Sequence, residues 1–258
     1  MTANFYDKVI VKINYKNSFG SGVLISDMKK NNSYLISAWH CFKREWDIDF
    51  RGIEIFRQEE NNLKQISLNF KDKIIDQKND IIIFEIEYIE DIPQYQIINA
   101  EIKDKVTVVG FPYGLSSDEC MTHRYIIRGE INDIPKESIV QVNSNRSFET
   151  YLNDAKENMS GYSGCGIFVE SEKTPYLCGI IIQLGSEEGI FAFVNGISIV
   201  AVDNILYEEK ETHLPNAKWS SFKNFIDSTL EIFEEPLANI CSVQIPEIIE
   251  NVTPSSIL

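Results

Sequence analysis

The sequence has little positive charge. Lys and Arg number 24 against 39 Asp and Glu, which gives the 258 residues a formal net charge of −15. Nucleic acids and anionic membrane surfaces attract clustered Lys and Arg, so neither is an expected partner. No apolar run approaches the ~18 residues that span a bilayer. An acidic groove for a basic substrate would also fit this charge, but solubility is the favoured explanation.

Cysteine is scarce and irregularly spaced. The five residues form no CxxC pair and no Cys/His grouping of the metal-binding kind: Cys41, Cys120, Cys165, Cys178 and Cys241. No metal and no cofactor is therefore expected. The N-terminal residues lack the basic start and apolar run of a secretory signal. Together these absences predict a cytoplasmic protein with free thiols.

What the chain does contain is many short β-strand patterns. The predicted strands are residues 9–15, 20–26, 34–38, 52–56, 65–70, 81–86, 105–110, 125–131, 138–142, 166–170, 177–184 and 190–195. Strands at this spacing, with few helical periods between them, predict an all-β fold. For a chain of 258 residues, two small β-barrels that share an interface fit better than a row of independent domains.

The strand pattern is interrupted once and is followed by a helix. Asp91-Ile-Pro-Gln-Tyr95 and other polar residues break it between 90 and 104, which predicts the connection between two barrels. Apolar residues recur at three- and four-residue spacing between Trp219 and Phe233, which predicts an α-helix. The predicted domains are residues 1–95, residues 96–210, and a helix with a tail, 211–258. Because the tail ends abruptly, we expect it to link to a further module.

Three short segments contain residues suited to acyl transfer. They are Ser37-Ala-Trp-His40-Cys41 after a strand, Asn79-Asp80-Ile-Ile-Ile-Phe84 at the start of one, and Ser160-Gly-Tyr-Ser163-Gly-Cys-Gly166 in a turn. A serine hydroxyl becomes nucleophilic when an imidazole takes its proton, and a buried carboxylate fixes the tautomer of that imidazole. Glycines beside the serine let backbone N–H groups face the developing oxyanion.

The ordered set resembles the trypsin/chymotrypsin superfamily of serine proteases. The segments around His40, Asp80 and Ser163 are similar to the family motifs Thr-Ala-x-His-Cys, Asp-Ile-Ala-Leu and Gly-Asp-Ser-Gly-Gly. Gly20-Ser-Gly-Val-Leu-Ile25 resembles the glycine-rich strand that leads toward the family's histidine. Val109-Gly-Phe-Pro-Tyr-Gly114 resembles the Gly-Tyr-Pro segment of the HtrA-like and glutamyl-endopeptidase branches. The likeness covers about residues 8–205.

This resemblance implies a fold and a site. The fold would be two antiparallel six-stranded β-barrels with a C-terminal α-helix, and the site would lie between the barrels. His40 and Asp80 would belong to the first barrel and Ser163 to the second. By the resemblance, His40 is the general base, Asp80 its orienting acid and Ser163 the nucleophile, while the backbone N–H groups of Gly161 and Ser163 form the oxyanion hole.

The sequence departs from the family at three positions. Tyr162 stands where zymogen-activated members carry an Asp that pairs with a newly cut N-terminus, so that route of maturation is not expected. Cys165 replaces the second glycine after the serine, which crowds a normally open position and weakens the expectation of activity. Cys165 as an alternative nucleophile is disfavoured, and a small buried role is expected. Gly20 occupies the position of the disulfide partner of Cys41, so that bond should be absent.

Other residues compete for the base and the acid. Of the three histidines, His123 and His213 lie in loop-like sequence, and neither has the small-residue context of the first. Asp72 and Asp76 are alternatives to Asp80, but only Asp80 is followed at once by an apolar strand that could bury its carboxylate. Asp76 leads into polar residues that indicate a turn.

Substrate preference is less clearly indicated. By the resemblance, Glu157 lies in the wall of the primary pocket, where it would pair with a substrate Arg or Lys. A solvated loop acid is an equal alternative for Glu157. The segment around Gln183 and Gly185 is expected to form the opposite edge and to pair with the substrate backbone as an added strand.

The expected function is intracellular serine endopeptidase activity on a protein or peptide substrate. Because no zymogen device is present, we expect control by an attached or partner regulatory module. By analogy alone, such a protein resembles protease effectors of bacterial defence systems. A catalytically silent binding module of the same fold is the alternative, and an esterase-like hydrolase is a third possibility.

Overall fold

Alternating apolar and polar residues form two antiparallel sheets in the computed structural model. The structure describes residues 2–60, 62–111, 124–136, 138–144, 161–171, 174–184 and 193–215. The first sheet comprises β1 (Ile10–Tyr15), β2 (Ser18–Asp27), β3 (Asn32–Ala38), β4 (Ile53–Glu59), β5 (Asn62–Ile66), β6 (Phe70–Asp76) and β7 (Ile81–Glu87). The second comprises β8 (Lys105–Gly110), β9 (Tyr125–Lys136), β10 (Ile139–Ser144), β11 (Gly166–Val169), β12 (Tyr176–Leu184) and β13 (Phe193–Ser198).

The first sheet curls so that its edge strands approach each other. Its strand order is β5-β4-β1-β2-β3-β7-β6. The two edge strands, β5 and β6, are consecutive in the chain and are separated by residues 67–69 alone. A link of that length spans at most roughly 14 Å, so the sheet has to bend into a barrel-like form.

The second sheet closes completely. Its order is β10-β13-β12-β11-β8-β9, and the pairing of β9 with β10 completes the barrel. The interior is filled by buried apolar side chains, including Val108, Ile131, Val142, Ile167 and Ile181. Cys165 and Tyr162 belong to the same buried cluster. The all-β class is thus confirmed for the described residues, which form one closed six-stranded barrel and one seven-stranded sheet.

One strand prediction was wrong. Residues 65–70 were expected to form a single strand, whereas the chain leaves β5 at Ile66 and enters β6 at Phe70. Both strands are needed because each pairs with a different neighbour, β5 with β4 and β6 with β7. The first sheet therefore has seven strands instead of the expected six.

An aromatic cluster joins the first sheet to the second. Helix α1 (Thr2–Val9), which no sequence pattern predicted, places the ring centroid of Phe5 5.3 Å from Tyr95 and 5.9 Å from Phe168. Tyr95 lies in the connection 88–104 and donates from its hydroxyl to the Leu24 carbonyl at 2.7 Å. The cluster thus packs the N-terminal helix and the connection 88–104 against Phe168 of the second sheet.

Helix α2 (Ile199–Lys210) follows the last strand and was also not predicted. The Ser198 hydroxyl caps it by accepting the Val200 N–H at 3.2 Å. Asp203 is fully buried and accepts from His213 Nδ1 at 2.7 Å and from the Leu214 N–H at 2.5 Å. The helix predicted between 219 and 233 lies outside the described residues. Within those residues, no helix is long and apolar enough to cross a membrane.

Candidate active site

The histidine segment is held opposite the aspartate by strand pairing. β3 pairs with β7 so that Ala38 faces Ile81, and the next residues form a short 3-10 helix, Trp39–Phe42. The Trp39 N–H donates to the Asp80 carbonyl at 2.8 Å, which extends the ladder by one bond. His40 therefore leaves the strand directly beside Asp80.

Asp80 lies at the end of a tight turn in a left-handed backbone conformation. Its φ is +55°, a region that Asn and Asp adopt more readily than most residues do. The Asp76 carboxylate organises the turn, because Oδ1 accepts the N–H groups of Lys78 at 2.8 Å and Asn79 at 3.3 Å. Asp76 Oδ2 accepts from Asn79 Nδ2 at 2.5 Å. Asp76, an alternative acid from the sequence, is thus occupied in the turn, while Asp72 pairs with Lys210.

His40, Asp80 and Ser163 form a single hydrogen-bonded line. Asp80 Oδ2 is 2.6 Å from His40 Nδ1, and His40 Nε2 is 2.7 Å from Ser163 Oγ. An ionised carboxylate can only accept, so Nδ1 carries the proton and Nε2 is left to accept from the serine hydroxyl. Asp80 Oδ1 also accepts the backbone N–H of His40 at 3.1 Å.

The environment favours the ionised form of Asp80. Burial alone would raise the pKa of its carboxyl, but the hydrogen bond and charge of His40 and the Arg44 guanidinium together hold that pKa below its usual value. Arg44 Nη2 lies 3.4 Å from Asp80 Oδ2, and its side chain is 64% exposed. A charged carboxylate is the form that fixes the imidazole tautomer.

Ser163 lies in a turn that begins and ends at left-handed glycines. Gly161 has φ +95° and Gly164 has φ +85°. The Cys165 N–H donates to the Tyr162 carbonyl at 2.9 Å and closes the turn. A Cβ on Gly164 would lie 1.8 Å from the Ser21 carbonyl oxygen, so no side chain fits there.

Contacts from both sheets hold this turn. The Ser163 carbonyl accepts the Ser21 N–H of β2 at 2.8 Å, and the Gly164 N–H donates to the Ile181 carbonyl of β12 at 2.8 Å. The Ser21 hydroxyl donates to the Gly161 carbonyl at 2.8 Å. Sequence reasoning missed Ser21; the available signal was a polar residue between two glycines in an otherwise apolar strand.

Cys165 faces the interior of the second barrel. It is fully buried, and its sulfur fills the space beside Gly110, where an added Cβ would lie 1.8 Å from Sγ. Burial raises the pKa of the Cys165 thiol well above its usual value. Gly110 has no side chain and thus leaves room for the Cys165 sulfur, so the crowding expected at position 165 is relieved.

Cys41 is also a free, buried thiol. Burial raises its pKa to about 12. A Cβ on Gly20 would lie 2.3 Å from Cys41 Sγ, so the two positions face each other as the resemblance implied. Because Gly20 has no sulfur to offer, no disulfide can form there.

The remaining residues of the sequence prediction are only partly described. Gln183 pairs through its backbone with Asn195 in the β12–β13 ladder. Glu157, Gly185 and His123 lie outside the described residues. His213 follows α2, and its Nδ1 is 2.7 Å from Asp203 Oδ2 instead of belonging to the line formed by His40, Asp80 and Ser163.

Comparison with protein-family models and with curated protein sequences found no match. Solved structures do match. The crystal structure of Rv3671c protease, inactive form, from M. tuberculosis H37Rv has a TM-score of 0.50 at 13% identity, over 80% of this chain and 90% of that chain. A Glu endopeptidase in complex with MPD has a TM-score of 0.58 at 12% identity, over 82% and 93%.

The fold is chymotrypsin-like. Both solved structures are named as proteases, and each match covers most of the two chains compared. At identities this low, the structural matches establish a shared chymotrypsin-like fold and nothing more. Any inference about chemistry therefore rests on the side chains of this chain.

Proposed function

We propose that this chain is a serine endopeptidase that cleaves protein substrates through an acyl-enzyme on Ser163. The observation that carries the proposal is the continuous line from Asp80 Oδ2 to His40 Nδ1 at 2.6 Å and from His40 Nε2 to Ser163 Oγ at 2.7 Å. The distance between His40 Nε2 and Ser163 Oγ is within the range at which a base takes the proton of a nucleophile, and the distance between Asp80 Oδ2 and His40 Nδ1 is that of a hydrogen bond that orients the imidazole.

In the first step, Ser163 Oγ forms a bond to the substrate carbonyl carbon while His40 Nε2 takes the hydroxyl proton. The imidazolium that results is stabilised by the Asp80 carboxylate. Collapse of the tetrahedral intermediate breaks the peptide bond, and the proton on Nε2 passes to the leaving amine. Water then repeats the two steps on the acyl-enzyme and releases the acid.

The developing oxyanion would be held by the backbone N–H groups of Gly161 and Ser163. Within the described part of the chain, neither group donates to a protein acceptor, so no such hydrogen bond competes with a substrate oxygen for either of them. Fixed donors of this kind contribute about 10²- to 10³-fold each to the rate.

Substrate binding is proposed beside β12. The Gly164 N–H bonds to the Ile181 carbonyl, so β12 passes next to the proposed nucleophile before it reaches Gln183. An extended peptide would add to this edge as a strand. Glu157 is proposed to select Arg or Lys in the primary pocket.

The proposal places the enzyme in a reducing compartment, the cytoplasm, supported by free thiols on Cys41, Cys165 and Cys178. Control by an attached or partner regulatory module, and a role as an effector in bacterial defence, complete the proposal on sequence analogy alone.

The test is labelling with a fluorophosphonate, which phosphonylates an activated serine. We expect the mass of the intact protein to rise by one adduct, mapped to Ser163, with no adduct on Ser163→Ala. A folded protein that takes no label, alone or with any regulatory module that activates it, would instead be the silent binding module. Digestion of casein by the unlabelled, unaltered protein would distinguish an endopeptidase from an esterase.

A further inference from the structure

Ser21 belongs to the first sheet, but its hydroxyl and its backbone N–H bond to segments that flank strands of the second sheet. It lies in β2, where pairing with β3 begins only at Val23, so its edge is free to bond elsewhere. Its hydroxyl donates to the Gly161 carbonyl at 2.8 Å and accepts the Phe111 N–H at 2.8 Å. Its own N–H donates to the Ser163 carbonyl at 2.8 Å. The residue is fully buried.

These bonds hold both ends of the segment 161–163, which carries the two backbone N–H groups proposed to bind the oxyanion. The direction of a carbonyl is set by ψ, so anchoring the carbonyls of Gly161 and Ser163 fixes ψ at each residue. Gly161, at φ +95°, has no side chain to restrict its rotation, and glycine occupies many backbone conformations with little difference in energy. The hydrogen bond from Ser21 Oγ therefore supplies a restraint that the glycine lacks.

We propose that Ser21 is a positioning residue that orients the oxyanion-binding segment 161–163 from the opposite sheet. The inference rests on the proposed function, since it concerns the same reaction. Donors contribute most when they are already aligned with the charge that develops in the transition state. Ser21 acts on that alignment through Gly161 and does not touch the substrate.

The side-chain requirement at position 21 is narrow. A Cβ on Gly110 would lie 2.7 Å from Ser21 Oγ, so the hydroxyl fits only because Gly110 has no side chain. Ser37 Oγ donates to the Ser21 carbonyl at 2.7 Å and fixes the main chain behind it. With alanine at 21, the Gly161 carbonyl and the Phe111 N–H would both lose their partner while buried.

The experiment compares Ser21→Ala with Ser26→Ala. Ser26 is a matched control because it is a buried serine of the same strand whose hydroxyl contacts the Ile89 carbonyl at 2.9 Å and the Ser33 hydroxyl at 2.7 Å. Hydrolysis of p-nitrophenyl acetate gives kcat and KM without knowledge of substrate preference. Phenylboronic acid, which forms a tetrahedral adduct on an active serine, reports affinity for a transition-state mimic.

We expect both variants to lower the unfolding midpoint, and only Ser21→Ala to impair catalysis. Its kcat should fall about 10- to 100-fold with KM within about 2-fold, and its affinity for phenylboronic acid should fall by the same factor as kcat. Ser21→Thr, which keeps the hydroxyl, should lose stability through its extra methyl group yet retain kcat. If Ser21→Ala does not fold, Ser21→Thr decides.

Three results would count against this inference, and they do so in two different ways. Unchanged kcat and phenylboronic acid affinity in Ser21→Ala, or a loss of kcat in folded Ser21→Thr, overturns the positioning role and leaves the proposed function standing. Absence of fluorophosphonate labelling in the unaltered protein overturns both.

Discussion

Asp80 holds both the main chain and the ring of His40. One carboxylate oxygen accepts the His40 backbone N–H at 3.1 Å, and the other lies 2.6 Å from His40 Nδ1. The imidazole is thereby fixed in position, orientation and tautomer by a single side chain. That side chain is in turn presented by a turn that Asp76 holds together.

Replacing Asp80 by Asn should separate shape from charge. Asn has the same size and tolerates the left-handed backbone, but it favours the wrong imidazole tautomer. We expect kcat to fall roughly 10,000-fold with KM little changed. Steady-state hydrolysis and thermal unfolding measured together check this. A kcat within tenfold of the unaltered protein would contradict the orienting role.

The lowered pKa of Asp80 predicts how stability varies with pH. Folding favours the ionised carboxylate, so its contribution is complete above the unfolded-state value of about 3.9. It is lost as the pH falls through the lower folded-state pKa. Urea unfolding should therefore show that the difference in unfolding free energy between the unaltered protein and Asp80→Asn narrows with acidification.

Arg44→Gln sharpens that measurement. Removing the guanidinium takes away one cause of the low pKa, so the acid range in which stability is lost should move upward in pH. Arg51→Gln is the control, because Arg51 is exposed and pairs with Asp49 instead. If the curves of unfolding free energy against pH coincide for Arg44→Gln and the unaltered protein, Arg44 does not lower the pKa of Asp80.

Gly164→Ala should disrupt the turn that contains Ser163. The new Cβ would lie 1.8 Å from the Ser21 carbonyl oxygen, and the φ of +85° is strained for alanine. Steric overlap and the left-handed conformation together should lower the unfolding free energy by about 2–5 kcal/mol. Gly52→Ala is the control, since its Cβ would approach no atom nearer than Tyr15 at 3.6 Å. Chemical denaturation of both variants should show a loss in Gly164→Ala alone.

A disulfide can be introduced by Gly20→Cys. The new Cβ would lie 3.0 Å from Cys41 Cβ, slightly nearer than disulfide geometry requires, so a shift of a few tenths of an ångström would allow the bond. We expect oxidation to remove two thiols, lower the mass by about two hydrogens and stabilise the protein by about 3 kcal/mol. Gly20→Ser has a similar size but cannot form the bond. Two thiols that stay titratable in oxidised, folded Gly20→Cys would contradict this geometry.

Much of the fold could be predicted because its pattern is local. Alternation over 105–110 gave the bounds of β8, and the apolar run after Asp80 gave β7 with one residue missing at its end. Residues 67–69 contain neither Gly nor Pro, so Ser67 and Asn69 were the only signal of the break between β5 and β6, and a weak one. Helix α2 begins with Ile199-Val-Ala-Val, a sequence typical of strands, and forms because its apolar face packs against β12 and β13.

The site divides in the same way. His40, Asp80 and Ser163 lie in short motifs that resemble those of a known family, so the sequence alone indicated them as candidates. Their catalytic roles stay a prediction. The bond from Ser21 to Gly161 joins residues 140 positions apart. Such pairs arise only when two sheets meet, and nothing in either local sequence indicates the partner.

The contact between Cys165 and Gly110 has a consequence for how such sequences are recognised. A search pattern that demands glycine two places after the nucleophile treats that position as independent of all others. In this chain the Cys165 side chain occupies space that a side chain at position 110 would otherwise fill, and Gly110 leaves that space empty. A pattern that scores the summed side-chain volume at positions 110 and 165 would accept this chain. It would still reject a chain that carries larger side chains at both positions.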